Sequence, residues 1–275
     1  MLDQTGYRRW ICILAVVSLT GDLCLAAEPS RKKGFCTVIR DGNQWREKIT
    51  ALNVSWFYSW GPTRPESLPD GIEFTPMIWG KYNARRPATL QLLKDAANRG
   101  EVRHLLGFNE PDQLEQSNMS VQEVLSLWPN LMETGLPLAS PSCVHPDREW
   151  MKHFMAEVES RKLRVDYVCV HSYGGANANA LVDRLTKVHE MYGRPIWITE
   201  FAVGDWTAKS AAENKYSPKQ VAKFMREVLP KLDSLDFVHR YAWYSAAATS
   251  APLGTSALFN EDGTLTRLGE IYRDY

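Results

Sequence analysis

This sequence has no excess of charge of either sign: 32 Lys and Arg stand against 32 Asp and Glu. A chain so balanced offers no electrostatic case for binding nucleic acid. Cysteine is scarce. Of five in all, Cys12 and Cys24 fall in an N-terminal leader, and Cys36, Cys143 and Cys169 remain, an odd number without metal-ligand spacing. At most one intramolecular disulfide can form, and no local context activates a thiolate. Cys36 and Cys169, each inside an apolar strand, read as small buried hydrophobes. No Gly-rich phosphate loop follows the first expected strand, which argues against a dinucleotide-binding fold. No pair of histidines has ligand spacing, so no metal and no other cofactor is expected. After residue 34 there is no linker, internal repeat or low-complexity segment.

Long apolar runs are missing too. The segment from Trp10 to Val17 is far short of the roughly 20 residues that span a bilayer, and Asp22 interrupts its continuation. With Arg8 and Arg9 before it and Cys24-Leu25-Ala26 after it, residues 1–27 read as a secretory signal peptide, and 28–275 as the mature domain. The expectation is a secreted protein, extracellular or in a cell wall, with no membrane attachment after processing. Export makes the sequons at Asn53 and Asn118 candidate glycan sites, Asn118 the better placed in its polar loop. Arg31-Lys32-Lys33 reads as a solvated edge or a processing site.

What is present is apolar and aromatic: 44% of the 275 residues are hydrophobic and ten are Trp, enough for one domain with a substantial core. Segments rich in β-branched and aromatic residues begin near Gly34, Val54, Glu73, His104, Leu136, Val165, Pro195 and Val238. Helical periodicity fills most of the gaps, over 89–98, 120–133, 149–160, 178–191 and 217–229. Strands that are nearly continuous in their apolar content, alternating with helices, predict parallel pairing covered on both faces. Eight such units point to a single-domain α/β (β/α)8 barrel, with helices shortened or replaced by loops in the first two units.

Two of the apolar runs end on a carboxylate. In 105–112, LLGFNEPD, the run reaches Asn109 and Glu110; in 196–203, IWITEFAV, it carries Glu200. A buried carboxylate is costly unless something pairs or uses it. In a barrel, side chains at the carboxyl ends of strands gather at one face and form the active site. Trp60, Trp79, Glu110, His171, Tyr173, Glu200, Trp243 and Tyr244 all fall at such ends. Simple alternation turns Asn109 away from Glu110, so the strand must bulge or end there, and Pro111 favours an end. Alternation also turns Trp197 away from Glu200, under the helices. His171 shares parity with Cys169 and Tyr173, so all three are expected inside the barrel. His104, His145, His153, His189 and His239 lack such placement and are assigned to structure or surface. Trp206, in the loop after Glu200, is either a cleft wall or a loop anchor.

Two glutamates on strands four and seven of a barrel look like the large clan of retaining glycosidases. More narrowly, Tyr58-Ser59-Trp60-Gly61-Pro62, Thr75-Pro76-Met77-Ile78-Trp79-Gly80, Gly107-Phe108-Asn109-Glu110-Pro111-Asp112, His171-Ser172-Tyr173-Gly174 and Trp197-Ile198-Thr199-Glu200-Phe201-Ala202 resemble glycoside hydrolase family 128. This is the glycosyl hydrolase catalytic core shared with alkali-sensitive linkage proteins. The resemblance covers about residues 34–273, and it departs from the family pattern at Ser59, where Asn is common.

The resemblance implies a retaining β-1,3-glucanase acting by double displacement, with Glu110 as acid/base and Glu200 as nucleophile. That chemistry needs two carboxyl groups about 5 to 5.5 Å apart, one carrying a proton and one held ionised by hydrogen bonds. His171 or Tyr173 is placed to supply those bonds. Asn109 is a donor to the sugar 2-hydroxyl, and Trp60, Trp79, Trp243 and Tyr244 are candidate sugar contacts. The expected partner is β-1,3-glucan or a related oligosaccharide, bound by a monomer. Two other readings stand beside this one: a wall protein that binds glucan with little turnover, and a retaining glycosidase for another β-glycan.

Overall fold

A computed structural model describes Met1, residues 30–40, Gly42 and residues 44–275. The expected leader, apart from Met1, lies outside the described residues. Strands β1 (Lys33–Cys36), β2 (Trp56–Tyr58), β3 (Glu73–Phe74), β4 (Val168–Gly174), β5 (Ile196–Val203) and β6 (Val238–Tyr244) form one sheet in the order β3-β2-β1-β6-β5-β4. Every neighbouring pair is parallel.

The expected strands around residues 105 and 138 are not regular ladders. They close the space between β3 and β4 through single parallel bridges, Met77 with Leu106, Leu105 with Leu138, Ala139 with Tyr167 and Cys143 with Val170. Proline explains the irregularity: Pro76, Pro137 and Pro141 have no N–H to give to a ladder. Gly107 lets the two segments approach, since a Cβ there would lie 2.9 Å from the carbonyl oxygens of Ala139 and Ser140. The architecture is that of a (β/α)8 barrel whose hydrogen-bonded ladder is six strands long and not continuous.

The helices are α1 (Trp45–Ala51), α2 (Lys81–Ala84), α3 (Pro87–Asn98), α4 (Val121–Met132), α5 (Glu149–Ser160), α6 (Ala178–Tyr192), α7 (Pro218–Ser234) and α8 (Arg267–Asp274). None is long and apolar enough to cross a membrane among the described residues. No helix separates β2 from β3, in keeping with the shortened early units. α7 shows how sequence makes these elements. Ser217 and Gln220 form a capping box, Pro218 occupies the first turn, and Val221, Phe224, Met225, Val228, Leu229 and Leu232 recur at three- and four-residue spacing on the buried face. Burying each of the larger side chains stabilises by roughly 1.5 to 3 kcal/mol. The helix runs through Pro230 to Ser234, beyond the end expected at 229.

Two layers of core result. Cys36, Trp56, Tyr58, Met77, Leu106, Ala139, Cys169, Trp197 and Ala242 pack inside the barrel. A second, larger cluster lies between the strands and the helices. The three described cysteines are buried and free. Asn53 and Asn118 are both exposed, each with a positive φ.

The basic run at the start of β1 is not a solvated edge. Lys32 Nζ donates to the carbonyls of Asp233 at 2.8 Å and Leu235 at 3.0 Å, at the end of α7. Lys33 is fully buried, and its Nζ donates to the carbonyl of Tyr272 at 2.8 Å in α8. Both ammonium groups therefore satisfy helix C-terminal carbonyls, where the dipole favours a cation. Burial brings the Lys33 ammonium down to about 8.

Candidate active site

The site begins with a bulge in β5. Along β4, Val170 faces Ile198 and His171 faces Glu200, so Thr199 is one residue too many. The extra residue shifts the parity of everything after it. Trp197 and Glu200 consequently both face the barrel interior, correcting the expectation that Trp197 lies under the helices. The Trp197 ring packs 5.4 Å from Trp56, 5.1 Å from Tyr167 and 4.9 Å from His104, with the Arg240 guanidinium 4.4 Å from its centroid.

Glu110 is delivered differently. The bridge of Asn109 to Ser142 is the last in its segment, and Glu110 then takes a left-handed backbone with φ of 40°. Such a conformation costs a non-glycine residue on the order of 1 to 3 kcal/mol, and it persists because the surroundings fix it. Here the Glu110 amide donates to the Ser142 carbonyl at 3.0 Å, and Asn109 on its other side donates its amide to the Trp79 carbonyl at 2.9 Å. Ending the strand at Asn109 is what frees Glu110 from simple alternation and lets it line the cleft. Trp60, the other left-handed residue at the site, has φ of 46°.

Three donors converge on Glu200. The Tyr58 hydroxyl donates to Oε1 at 2.9 Å, the Trp60 indole N–H to the same oxygen at 2.7 Å, and the Tyr173 hydroxyl to Oε2. Burial, followed by the Glu200 charge, raises both phenols well above the ordinary tyrosine value, so each keeps the proton it donates. Glu110 has a different partner: His171 Nδ1 lies 2.7 Å from its Oε1. The other ring nitrogen of His171, Nε2, lies 3.5 Å from Glu200 Oε1. Burial opposes a charge on this imidazole, but the nearby Glu200 and Glu110 carboxylates outweigh it and raise its pKa. One oxygen of each glutamate and a ring nitrogen of His171 all lie within 4.8 Å of one another.

These groups form the floor of a cleft of about 540 Å³. Around the two glutamates and His171 it is lined by Gln113, Gln116, His145, Arg184, Tyr244, Trp206 and Leu253, among others. Trp206 is 65% exposed, stands edge-on to Tyr173 and donates its indole N–H to the Tyr173 carbonyl, so it is both wall and anchor. Arg184 is tied to the Val144 carbonyl at 2.7 Å and to Ser172 Oγ at 3.3 Å.

Of the expected site residues, Glu110, His171, Tyr173, Glu200 and Tyr244 line the cleft, and Trp60 reaches Glu200 from beside it. Asn109 is buried behind Gln116, donating its amide to Gln116 Oε1 at 3.2 Å, and its own Oδ1 has no partner. Trp79 is half-buried against the barrel interior and does not line the cleft. Trp243 is not at the site at all. It lies on the outer face of β6, fully buried, 4.9 Å from Phe201 and donating its indole N–H to the Ser256 carbonyl at 2.8 Å. Alternation along β6 gives the inner face to Tyr244, whose ring lies 5.3 Å from Tyr173 and 6.0 Å from Trp60. Residues not expected at the site also reach it. His145, expected at structure or surface, lines the cleft. Tyr58 shares the inner face of β2 with Trp56, and parity at that strand end could have found it. Ser59, at the departure from the family pattern, accepts the Ile39 amide on its Oγ at 3.0 Å and so braces the loop after β1.

Residues 34–272 match the family model described as the glycosyl hydrolase catalytic core. An endo-beta-1,3-glucanase of GH128 subgroup I from Amycolatopsis mediterranei, solved in complex with laminaritriose, is 33% identical, with a TM-score of 0.76 over 88% of this chain and 98% of that one. Alkali-sensitive linkage protein 1 of Schizosaccharomyces pombe is 27% identical over 252 residues, which is 88% of this chain but only 44% of that protein. The chain thus spans less than half the length of this curated relative. A GH128 subgroup VII oligosaccharide-binding protein from Trichoderma gamsii shares the fold, with a TM-score of 0.68 over 90% of this chain and 94% of that one, at 20% identity.

Proposed function

From the premise that this chain belongs to the glycosyl hydrolase catalytic core family, we propose that it hydrolyses β-1,3-glucan by double displacement, with Glu200 as nucleophile and Glu110 as acid/base. The observation that carries the assignment is the asymmetry of the two carboxylates. Glu200 receives hydrogen bonds from Tyr58, Trp60 and Tyr173, the environment a negatively charged nucleophile requires. Glu110 has a single ring-nitrogen partner, His171, and opens on the cleft, as suits a group that gives and takes a proton.

Spacing supports the retaining route. Oxygens of the two glutamates approach within 4.8 Å, close to the separation of about 5 to 5.5 Å at which the second carboxylate attacks the sugar and too near for the intervening water of an inverting enzyme. In the first step Glu200 attacks the anomeric carbon while Glu110 protonates the departing oxygen; in the second, Glu110 takes a proton from the water that releases the sugar. Tyr244 and Trp206 offer aromatic faces along the cleft.

The β-1,3-glucan assignment draws on the Amycolatopsis enzyme, solved with laminaritriose bound, and the leader read in the sequence supports action outside the cell. Incubating the purified protein with linear β-1,3-glucan tests the reading. Release of oligosaccharides that Glu200→Gln abolishes is expected. Tight glucan binding without release by the unsubstituted protein would replace the enzyme with a binding protein.

A further inference from the structure

The left-handed backbone of Glu110, with φ of 40°, is costly for a residue with a Cβ and persists only where its surroundings over-determine it. One segment, Ser142 to His145, holds it at more than one point. The Ser142 carbonyl takes the Glu110 amide at 3.0 Å. Two residues further on, the Asp112 carboxylate accepts the Val144 amide on Oδ1 at 3.2 Å and the His145 amide on Oδ2 at 3.3 Å. Two successive N–H groups turned toward one carboxylate make a charge-assisted pair of bonds. Between these attachments the chain turns back on itself. The Gln113 amide donates to the Glu110 carbonyl at 3.0 Å, and the ring of Pro111 fixes its own φ.

The holding segment is itself fixed. Cys143 bridges to Val170 in β4. Arg184, from α6, donates to the Val144 carbonyl at 2.7 Å and to Ser172 Oγ at 3.3 Å. Val144 is therefore gripped on its N–H by Asp112 and on its carbonyl by Arg184. Lys187, one turn on in α6, pairs with Asp147 at 3.0 Å.

We propose that Asp112 is a positioning residue for the acid/base: by tying the turn after Glu110 to the amides of Val144 and His145, it holds the Glu110 carboxyl where it meets the departing oxygen. The inference rests on the reading of Glu110 as acid/base. Asp112 does not line the cleft and so acts through Glu110 rather than on sugar. It has one other route to the site. Burial opposes a charge on His171, and Asp112 follows Glu200 and Glu110 among the carboxylates that favour one.

The leaving group separates this role from a general structural one. In both cases below, the bond from Glu200 to the anomeric carbon forms as the bond to the leaving oxygen breaks. A sugar leaving group departs as an alcohol and needs the Glu110 proton, whereas dinitrophenolate departs as a stable anion and needs none. For Asp112→Ala, kcat/KM on a laminari-oligosaccharide is expected to fall roughly ten- to a hundredfold. On dinitrophenyl β-laminaribioside it is expected to stay within about threefold of the unsubstituted protein. Asp112→Asn removes the charge but keeps one acceptor, and is expected to lose less than Asp112→Ala. Urea unfolding checks that each variant folds, and Asp112→Asn carries the comparison alone if Asp112→Ala does not. Equal losses on the two substrates, or no loss on either, overturn the proposal. An asparagine variant as impaired as the alanine one assigns the effect to charge near His171 and overturns the tether. A crystal structure of the variant used is expected to show the Glu110 backbone or the Cys143–His145 loop displaced; both unmoved would also overturn it. If the unsubstituted protein hydrolyses neither substrate, the acid/base reading fails, while the variant's structure still decides whether Asp112 holds Glu110.

Discussion

Trp60 gives its indole N–H to Glu200 at 2.7 Å from a backbone held left-handed, so an aromatic ring beside the cleft also holds the proposed nucleophile. Trp60→Phe keeps an aromatic ring and removes the donor. A hydrogen bond to a charged group contributes about 1.5 to 3 kcal/mol, which corresponds to a loss in kcat/KM of roughly ten- to a hundredfold. Steady-state kinetics on a soluble laminari-oligosaccharide checks this, with the loss expected mainly in kcat.

Tyr58 and Tyr173 hold the two oxygens of the same carboxylate. Tyr58→Phe and Tyr173→Phe are each expected to lower kcat/KM, and the double variant to lose less or more than the product of the single effects, since groups acting on one carboxylate are coupled. Rates measured for the four proteins of this cycle give the coupling; strict additivity would show that the two hydroxyls act independently.

Trp243 and Trp206 separate stability from binding. Trp243 is fully buried against Phe201 and Tyr272, so Trp243→Ala is expected to cost about 3 to 5 kcal/mol of stability by denaturant unfolding. Trp206 is mostly exposed on the cleft wall. Trp206→Ala is expected to leave unfolding nearly unchanged and to raise KM for glucan.

Acid exposes a second cluster, at the opposite end of the barrel from the cleft. Arg240 donates to both oxygens of Glu73, at 3.0 and 2.7 Å, and His104 Nδ1 lies 3.1 Å from one of them. Burial opposes the Glu73 charge, but these bonds from His104 and Arg240 outweigh it and hold the carboxyl at about 2, against an ordinary 4.5. Because the folded value is the lower one, the contribution is complete above 4.5 and is lost as pH falls toward 2. Its size is on the order of 3 kcal/mol. Glu73→Gln should flatten the fall in stability across that window, as followed by urea unfolding at a series of pH values.

The barrel and its two carboxylates were legible because both are written locally: apolar runs alternate with helical periodicity, and Glu110 and Glu200 interrupt apolar runs. Features set by tertiary context were not. Proline turned two expected strands into single bridges. The bulge at Thr199 changed parity in β5 and brought Trp197 inside, where counting by twos put it outside. A strand end singled out both Trp243 and Tyr244, but only alternation, anchored by the structure, distinguishes them. Lys32 and Lys33 look solvated in a basic run, and their partners are helix ends about 200 residues away or more. Parity with Trp56 on β2 was enough to find Tyr58, whereas His145 joined the site through a loop whose position no local pattern encodes.

The proposed double displacement passes through a covalent glucosyl intermediate on Glu200, with Glu110 as acid/base. Following the anomeric protons by NMR during the first minutes of hydrolysis of a laminari-oligosaccharide tests it most directly. The β-anomer is expected to appear first and only later to equilibrate with the α-anomer, and Glu200→Gln is expected to produce neither. Initial release of the α-anomer, or unchanged turnover by Glu200→Gln, would contradict it.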